Sequence, residues 1–162
     1  MTKKNMIKLL YEMMKNSKRS DRALAKIIGV SQPTITRMRQ RLEKTGYILD
    51  YTIIPNLEKL GFEIAAFTFM NTVKTGAKEP GENVEKWIES NPKIVFAASG
   101  DGLNGKNSVI ISMHKDFTDY SEFMSEFRSK WAANIRDIDG FLVPLRGRLP
   151  KRFGFKYLES VE

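Results

Sequence analysis

The 162-residue chain has no cysteine, one histidine and no long apolar run. Each absence excludes something. Without cysteine there are no disulfides and no thiolate metal sites, a composition that fits a reducing cytoplasm. His114, at the end of an expected strand, has no second imidazole or thiolate to complete a common metal set. It reads as an ordinary surface or partly buried strand residue. A Ser-His-Asp set can be assembled only through His114, and nothing near it suggests an activated nucleophile. No catalytic residue, metal ligand or cofactor is assigned, and a non-enzyme is expected. No stretch reaches the roughly 18–20 apolar residues of a membrane span. The opening "MTKKNMIKLLYEMMKNSK" has charge on both sides of a short apolar stretch and no small-residue cleavage site, so it does not read as a signal peptide. A cytoplasmic protein with no membrane partner is expected.

What the chain has in excess is positive charge, and in one place. Residues 1–61 hold 13 Lys and Arg against 5 Asp and Glu, whereas residues 62–162 hold 14 of each. The net charge of +8 is therefore confined to the first third. Such asymmetry points to a polyanion-binding module attached to a neutral one, with a solvated basic face as the plainer reading. The apolar fraction of 41% is ordinary for a globular chain.

The first module reads as three helices. "MIKLLYEMM" places Ile7, Leu10 and Met14 at i, i+3, i+7. Ser20 caps a second helix with Asp21 in its first turn and Leu24, Ile27 and Ile28 as its apolar stripe. Gly29 stops that helix. Ser31 then caps a third, with Pro33 in the first turn, where a missing N–H costs nothing. Ile35, Met38 and Leu42 make the buried stripe, and Gly46 ends the helix. Two helices joined by so short a turn cross steeply, the helix-turn-helix arrangement. "YILDYTIIP" then reads as a short strand or wing.

With Ile35, Met38 and Leu42 inward, Pro33, Thr36, Arg37, Gln40 and Lys44 point outward. Arg41 lies on the flank and Arg39 nearer the core edge. Arg bonds guanine bidentately and Gln does the same to adenine, so this face suits a major groove. The candidate DNA contacts are Ser31, Gln32, Pro33, Thr34, Thr36, Arg37, Arg39, Gln40, Arg41 and Lys44, with Lys18, Arg19 and Arg22 at the start of the helix that crosses the phosphate backbone. For each cation singly, a solvated helix face is the competing reading.

"NSKRSDRALAKIIGVSQPTITRMRQRLEKTGYILDYTIIPNLEKLGF" resembles the DNA-binding half of the Lrp/AsnC (feast/famine) regulators. The matching pieces are Arg19-Ser20, Leu24-Ala25, Gly29-Val30-Ser31, Arg37, Arg41-Leu42-Glu43, Gly46, and Ile48 with Tyr51. The resemblance continues less strictly to the C-terminus. It implies a cytoplasmic, prokaryotic, dimer-based transcriptional regulator of double-stranded DNA. Such regulators often assemble further and are often tuned by an amino acid or related small molecule.

The second module has its own pattern: strands at "FEIAAFTFMNTV", "KIVFAAS", "SVIISMH" and "IDGFLVPLRGR", and helices at "GENVEKWIES" and "DYSEFMSEFRSKW". The order βαββαβ is ferredoxin-like, an antiparallel sheet with both helices on one face. The expected fold class is α+β, a winged helix-turn-helix followed by this sheet. The expected boundaries are 1–55 for the DNA-binding domain, 56–62 for a linker, and 63–162 for a dimerisation and effector domain. Both faces of the strands are apolar, yet helices cover only one. The uncovered face calls for a second copy, hence a homodimer. The tail from Pro150, with Phe153, Phe155, Tyr157 and Leu158, has the apolar residues to add an edge strand, to its own subunit or to the partner.

"GDGLNGKN" at 100–107 fits G-x-G-x-x-G literally and misses a P-loop at Asn107. Both nucleotide motifs need a helix after the glycines, and a strand follows here. In the resembling family this turn contributes to an effector pocket between subunits, often with a Gly-Asp pair. Gly100-Asp101 matches that pair, so Gly100, Asp101 and Gly102 are candidate effector residues, with a plain glycine-rich hairpin as the alternative. Some Lrp/AsnC-like chains are tetrapyrrole (siroheme-type) decarboxylases. Such an enzyme, or an RNA- or partner-docking module, is the alternative to the regulator.

Overall fold

The computed structural model of the chain describes residues 2–73 and 80–158. The backbone separates into two compact units, Met1–Ile54 together with Lys151–Glu162, and Pro55–Pro150. The first holds α1 (Lys3–Lys15), α2 (Asp21–Ile28) and α3 (Gln32–Lys44). Their core is Met6, Leu9, Met13, Leu24, Ala25, Ile28, Ile35, Met38 and Leu42. The buried stripe of α3 is the expected one, and all three of its side chains are fully enclosed. On α1 the buried stripe lies one residue earlier than expected, at Met6, Leu9 and Met13, with Leu10 on the margin. The helix is apolar on two adjacent stripes, and spacing alone does not choose between them. On α2 the small Ala25 is buried and Ile27 is 40% exposed, because close helix packing has room for a methyl group there. Truncating a large residue of this core to Ala costs about 2–5 kcal/mol.

Two strands considered for this unit do not form within the chain. No strand forms at 47–55; residues 48–55 have no regular structure. A lone strand without a partner leaves its backbone groups unpaired, and Leu49 and Ile53 stay exposed. Within its own chain the tail adds no edge strand either. Beyond Pro150 it forms one short 3₁₀ turn, Phe155–Tyr157, that packs against α1. The ferredoxin-like unit therefore ends at Pro150, not at 162.

The second unit runs β1 (Ile64–Thr72), α4 (Pro80–Ser90), β2 (Ile94–Ser99), β3 (Ser108–His114), α5 (Phe117–Trp131) and β4 (Ile135–Pro144). Its sheet has the order β2-β3-β1-β4 with every neighbour antiparallel. This is the expected α+β architecture. Met70, Ile110, Phe123, Met124 and Phe127 form the core under the helices, joined by Trp87 and Trp131. Trp87 lies 5.5 Å from the Phe127 ring and 6.0 Å from the Phe123 ring, tying α4 to α5. Alternation along β1 buries Ala66, Thr68 and Met70 and sends Phe67 and Phe69 to the other side. The register aligns Phe96, Ile111, Phe67 and Phe141 in one row across all four strands. That row lies on the face without helices, with Phe141 65% and Phe96 50% exposed.

Candidate DNA interface

The interface is built from local capping chemistry. Ser20 accepts a hydrogen bond from the Ala23 N–H at 3.2 Å and starts α2. Gly29 ends it with φ +81°, a left-handed conformation that a side chain rarely adopts, and its N–H donates to the Ala25 carbonyl at 2.9 Å. Only Val30 and Ser31 then separate it from α3. Ser31 occupies the N-cap with extended backbone, but its hydroxyl shares a 2.8 Å bond with the Thr34 hydroxyl instead of capping a backbone N–H. Pro33 lies in the first turn, as expected.

With its stripe buried, α3 presents Gln32, Pro33, Thr36, Arg37, Gln40, Arg41 and Lys44 exposed. Gln32, Pro33, Thr36 and Arg37 line a shallow open depression. Lys18 and Arg22 are exposed beside the start of α2, and Thr34 is half-buried. Besides Ser31 and Thr34, three of the sequence candidates are engaged inside the unit. Arg19 pairs with Glu12 of α1 and also reaches the Glu12 carbonyl. Thr36 donates through its hydroxyl to Asp21 Oδ2 at 2.8 Å, and Arg39 Nη2 donates to Asp21 Oδ1 at 2.5 Å. The Tyr51 hydroxyl donates to Glu43 at 2.6 Å. The hydrogen bond from Arg39, more than that from Thr36, holds the Asp21 carboxyl below its ordinary range against the opposing effect of burial. In the sequence Asp21 reads only as a favourable first-turn acid. Its partners lie 15 and 18 residues away, so nothing local marks the network.

The 100–107 loop is a closed turn. Gly100 N–H donates to the Asn107 carbonyl at 3.0 Å and Gly102 N–H to the Lys106 carbonyl at 2.7 Å. Both amides are thus already used, while Asp101 is exposed. Lys106, the residue a P-loop would turn to phosphate, is buried between Asp137 and Asp139. Those carboxylates, Asp137 first, raise its pKa against the opposing desolvation. Asn107 accepts from the Thr72 N–H at 2.9 Å and donates to the Thr72 carbonyl at 2.8 Å. The loop holds a 3₁₀ turn, Leu103–Gly105, and leads into β3, so a strand and not an α-helix follows its glycines.

His114 is fully buried, contrary to the surface or partly buried position its strand-end place suggests. It points to the helix side, edge-on to Tyr120 at 5.3 Å, with Nε2 2.8 Å from the Ser112 hydroxyl. Burial pushes its pKa down, and Asp119, 3.6 Å from Nδ1, pulls the other way. Among the described residues no three His, Asp or Glu side chains converge as a metal site. Among the same residues no helix is long and apolar enough to cross a membrane.

A basic, capped helix-turn-helix joined to a βαββαβ unit defines a two-unit helix-turn-helix regulator. A family described as winged helix-turn-helix DNA-binding matches residues 3–48. The HTH-type transcriptional regulator PH0061 of Pyrococcus horikoshii, itself uncharacterised, is 31% identical over 137 residues, 82% of this chain and 86% of its own. LrpC of Bacillus subtilis is 30% identical over 90 residues, 56% of this chain and 60% of its own. Among solved structures, the Neisseria meningitidis regulator NMB0573 in complex with L-Met superimposes with a TM-score of 0.80 at 16% identity, covering 98% of this chain and 97% of its own. Escherichia coli AsnC does so with 0.74 at 17%, covering 96% and 99%. The chain belongs to the Lrp/AsnC family of helix-turn-helix transcriptional regulators.

Proposed function

We propose that this regulator reads double-stranded DNA through the exposed face of α3. In this reading Arg37 and Gln40 face base edges, and Gln32, Pro33, Arg41, Lys44, Lys18 and Arg22 lie along the phosphates. The observation that carries it is the geometry of α3: its apolar stripe is fully enclosed, so Arg37, Gln40, Arg41 and Lys44 share the outer side. The protein works in the cytoplasm as a regulator and not as an enzyme. The tests are selection of bound sequences from random duplex DNA and a salt titration with RNA as competitor. One duplex sequence should be enriched, and affinity should fall steeply with salt as released counterions demand. Equal retention of RNA, or salt-insensitive binding, overturns the reading.

Two copies pair through the open sheet face, where the row Phe96, Ile111, Phe67 and Phe141 supplies apolar area that helices leave bare. The pair then presents two reading helices to two half-sites. The homodimer is the unit from which larger homo-oligomers are built. An amino acid or related small molecule acts as effector near Gly100, Asp101 and Gly102, its amino group on the Asp101 carboxylate. Support comes from the exposure of Asp101 and from the L-Met complex of the structurally similar Neisseria protein. With the Gly100 and Gly102 amides bonded within the turn, the ligand carboxylate takes its donors elsewhere.

A further inference from the structure

A carboxylate at the start of α2 is out of place on a surface meant for a polyanion. Lys18 and Arg22 flank it, yet Asp21 carries the opposite charge, and its side chain is 22% exposed. Its oxygens are both committed to α3, one to Thr36 and one to Arg39, which stand three residues apart on one side of that helix. An arginine so engaged is not free to neutralise a phosphate, and a threonine whose hydroxyl proton is donated to Asp21 has none left for a base or phosphate.

We propose that Asp21 is a specificity-determining residue, which withholds Arg39 and Thr36 from DNA so that sequence reading is left to Arg37 and Gln40. The proposal rests on α3 as the reading helix and deepens that assignment. The physical logic is a difference of affinities. A cation that touches phosphate strengthens every sequence alike, whereas base contacts strengthen only the right one. Cancelling one generic contact therefore lowers binding to random DNA without touching the base readers. The anion also repels nearby phosphates, which adds to the same discrimination.

Asp21→Asn keeps the shape and an acceptor oxygen but removes the charge that holds Arg39. In the full-length protein, affinity for random duplex should rise several-fold. The slope of log affinity against log salt should steepen by about 0.9, the value of one added phosphate contact. The ratio of preferred to random binding should fall. Arg39→Gln in the wild-type background should leave the salt slope unchanged, and in the Asp21→Asn background it should return the slope to the wild-type value. A purely structural Asp21 predicts weaker binding without a steeper slope, and that result overturns the proposal. So does a shallower slope in Arg39→Gln alone, a measurement that stands even where Asp21→Asn fails to fold. Arg37→Ala is the separating control. If it too leaves DNA binding untouched, α3 is not the reading helix and the underlying assignment fails. If it abolishes sequence preference while Asp21→Asn changes nothing, only the role of Asp21 fails.

Discussion

Arg37 and Arg39 are two residues apart on one helix, yet they have different environments. Arg37 is exposed beside Gln32, Pro33 and Thr36, whereas Arg39 is half-buried against Asp21. Arg37→Ala and Gln40→Ala should each cost about 1–3 kcal/mol on the preferred duplex and relax sequence choice, measured by titration against preferred and random DNA. Equal weakening on both duplexes would assign them to phosphate contacts instead. His114 makes a second prediction. Its folded-state pKa lies below the ordinary 6.5 because it is buried. As pH falls through 6.5 the unfolded chain takes up a proton that the folded chain refuses until lower pH. The unfolded state then binds more protons, so stability falls with acidification. Glu12, Asp21, Asp119, Glu126 and Asp137 all have folded-state values lowered from the ordinary 4.5 or 3.8, so they stay ionised between pH 7 and 5.5. Urea denaturation should show a loss of at most about 1.4 kcal/mol per pH unit in that window. His114→Gln should flatten the dependence, and an unchanged slope in the variant would remove His114 as its source.

The elements follow from ordinary chemistry: a serine cap and a left-handed glycine bound α2, and alternation divides β1 into two faces. The consequence at this scale is the bare sheet face. Ile111 pairs with Phe67 and Phe96 on that face, while its neighbours Ile110 and Ser112 are buried under the helices. Ile111→Glu should leave the helix-side core intact and dissociate the proposed dimer. Sedimentation at micromolar concentration should report a folded monomer with an unchanged far-ultraviolet circular dichroism spectrum. A variant that stays dimeric would place the pairing surface elsewhere.

For the whole molecule, in the proposed pair two identical reading units would gain affinity by acting together, and a ligand would alter that only by preferring one arrangement of the subunits. A thermal-shift screen of amino acids should find at least one that raises the melting temperature of the wild type. The same compound should no longer shift Asp101→Ala, with DNA affinity in the absence of ligand as the control. Should no amino acid shift the wild type, regulation by such an effector through this loop is ruled out.

Much of this was legible in the residues. Charge segregation, the Gly29-Val30-Ser31 turn, the Ile35/Met38/Leu42 stripe and the βαββαβ order are all short-range patterns, set by local dihedral preference and periodicity. Which of two apolar stripes α1 buries was not, because both have helical spacing and only the neighbours choose. The same holds for the 47–55 stretch, whose β-branched residues favour a strand that has no partner to pair with. The tail's attachment to α1, the burial of His114 and the grip of Asp21 on Thr36 and Arg39 join residues far apart in the chain. Such contacts arise only when packing brings the elements together, and no local pattern encodes them.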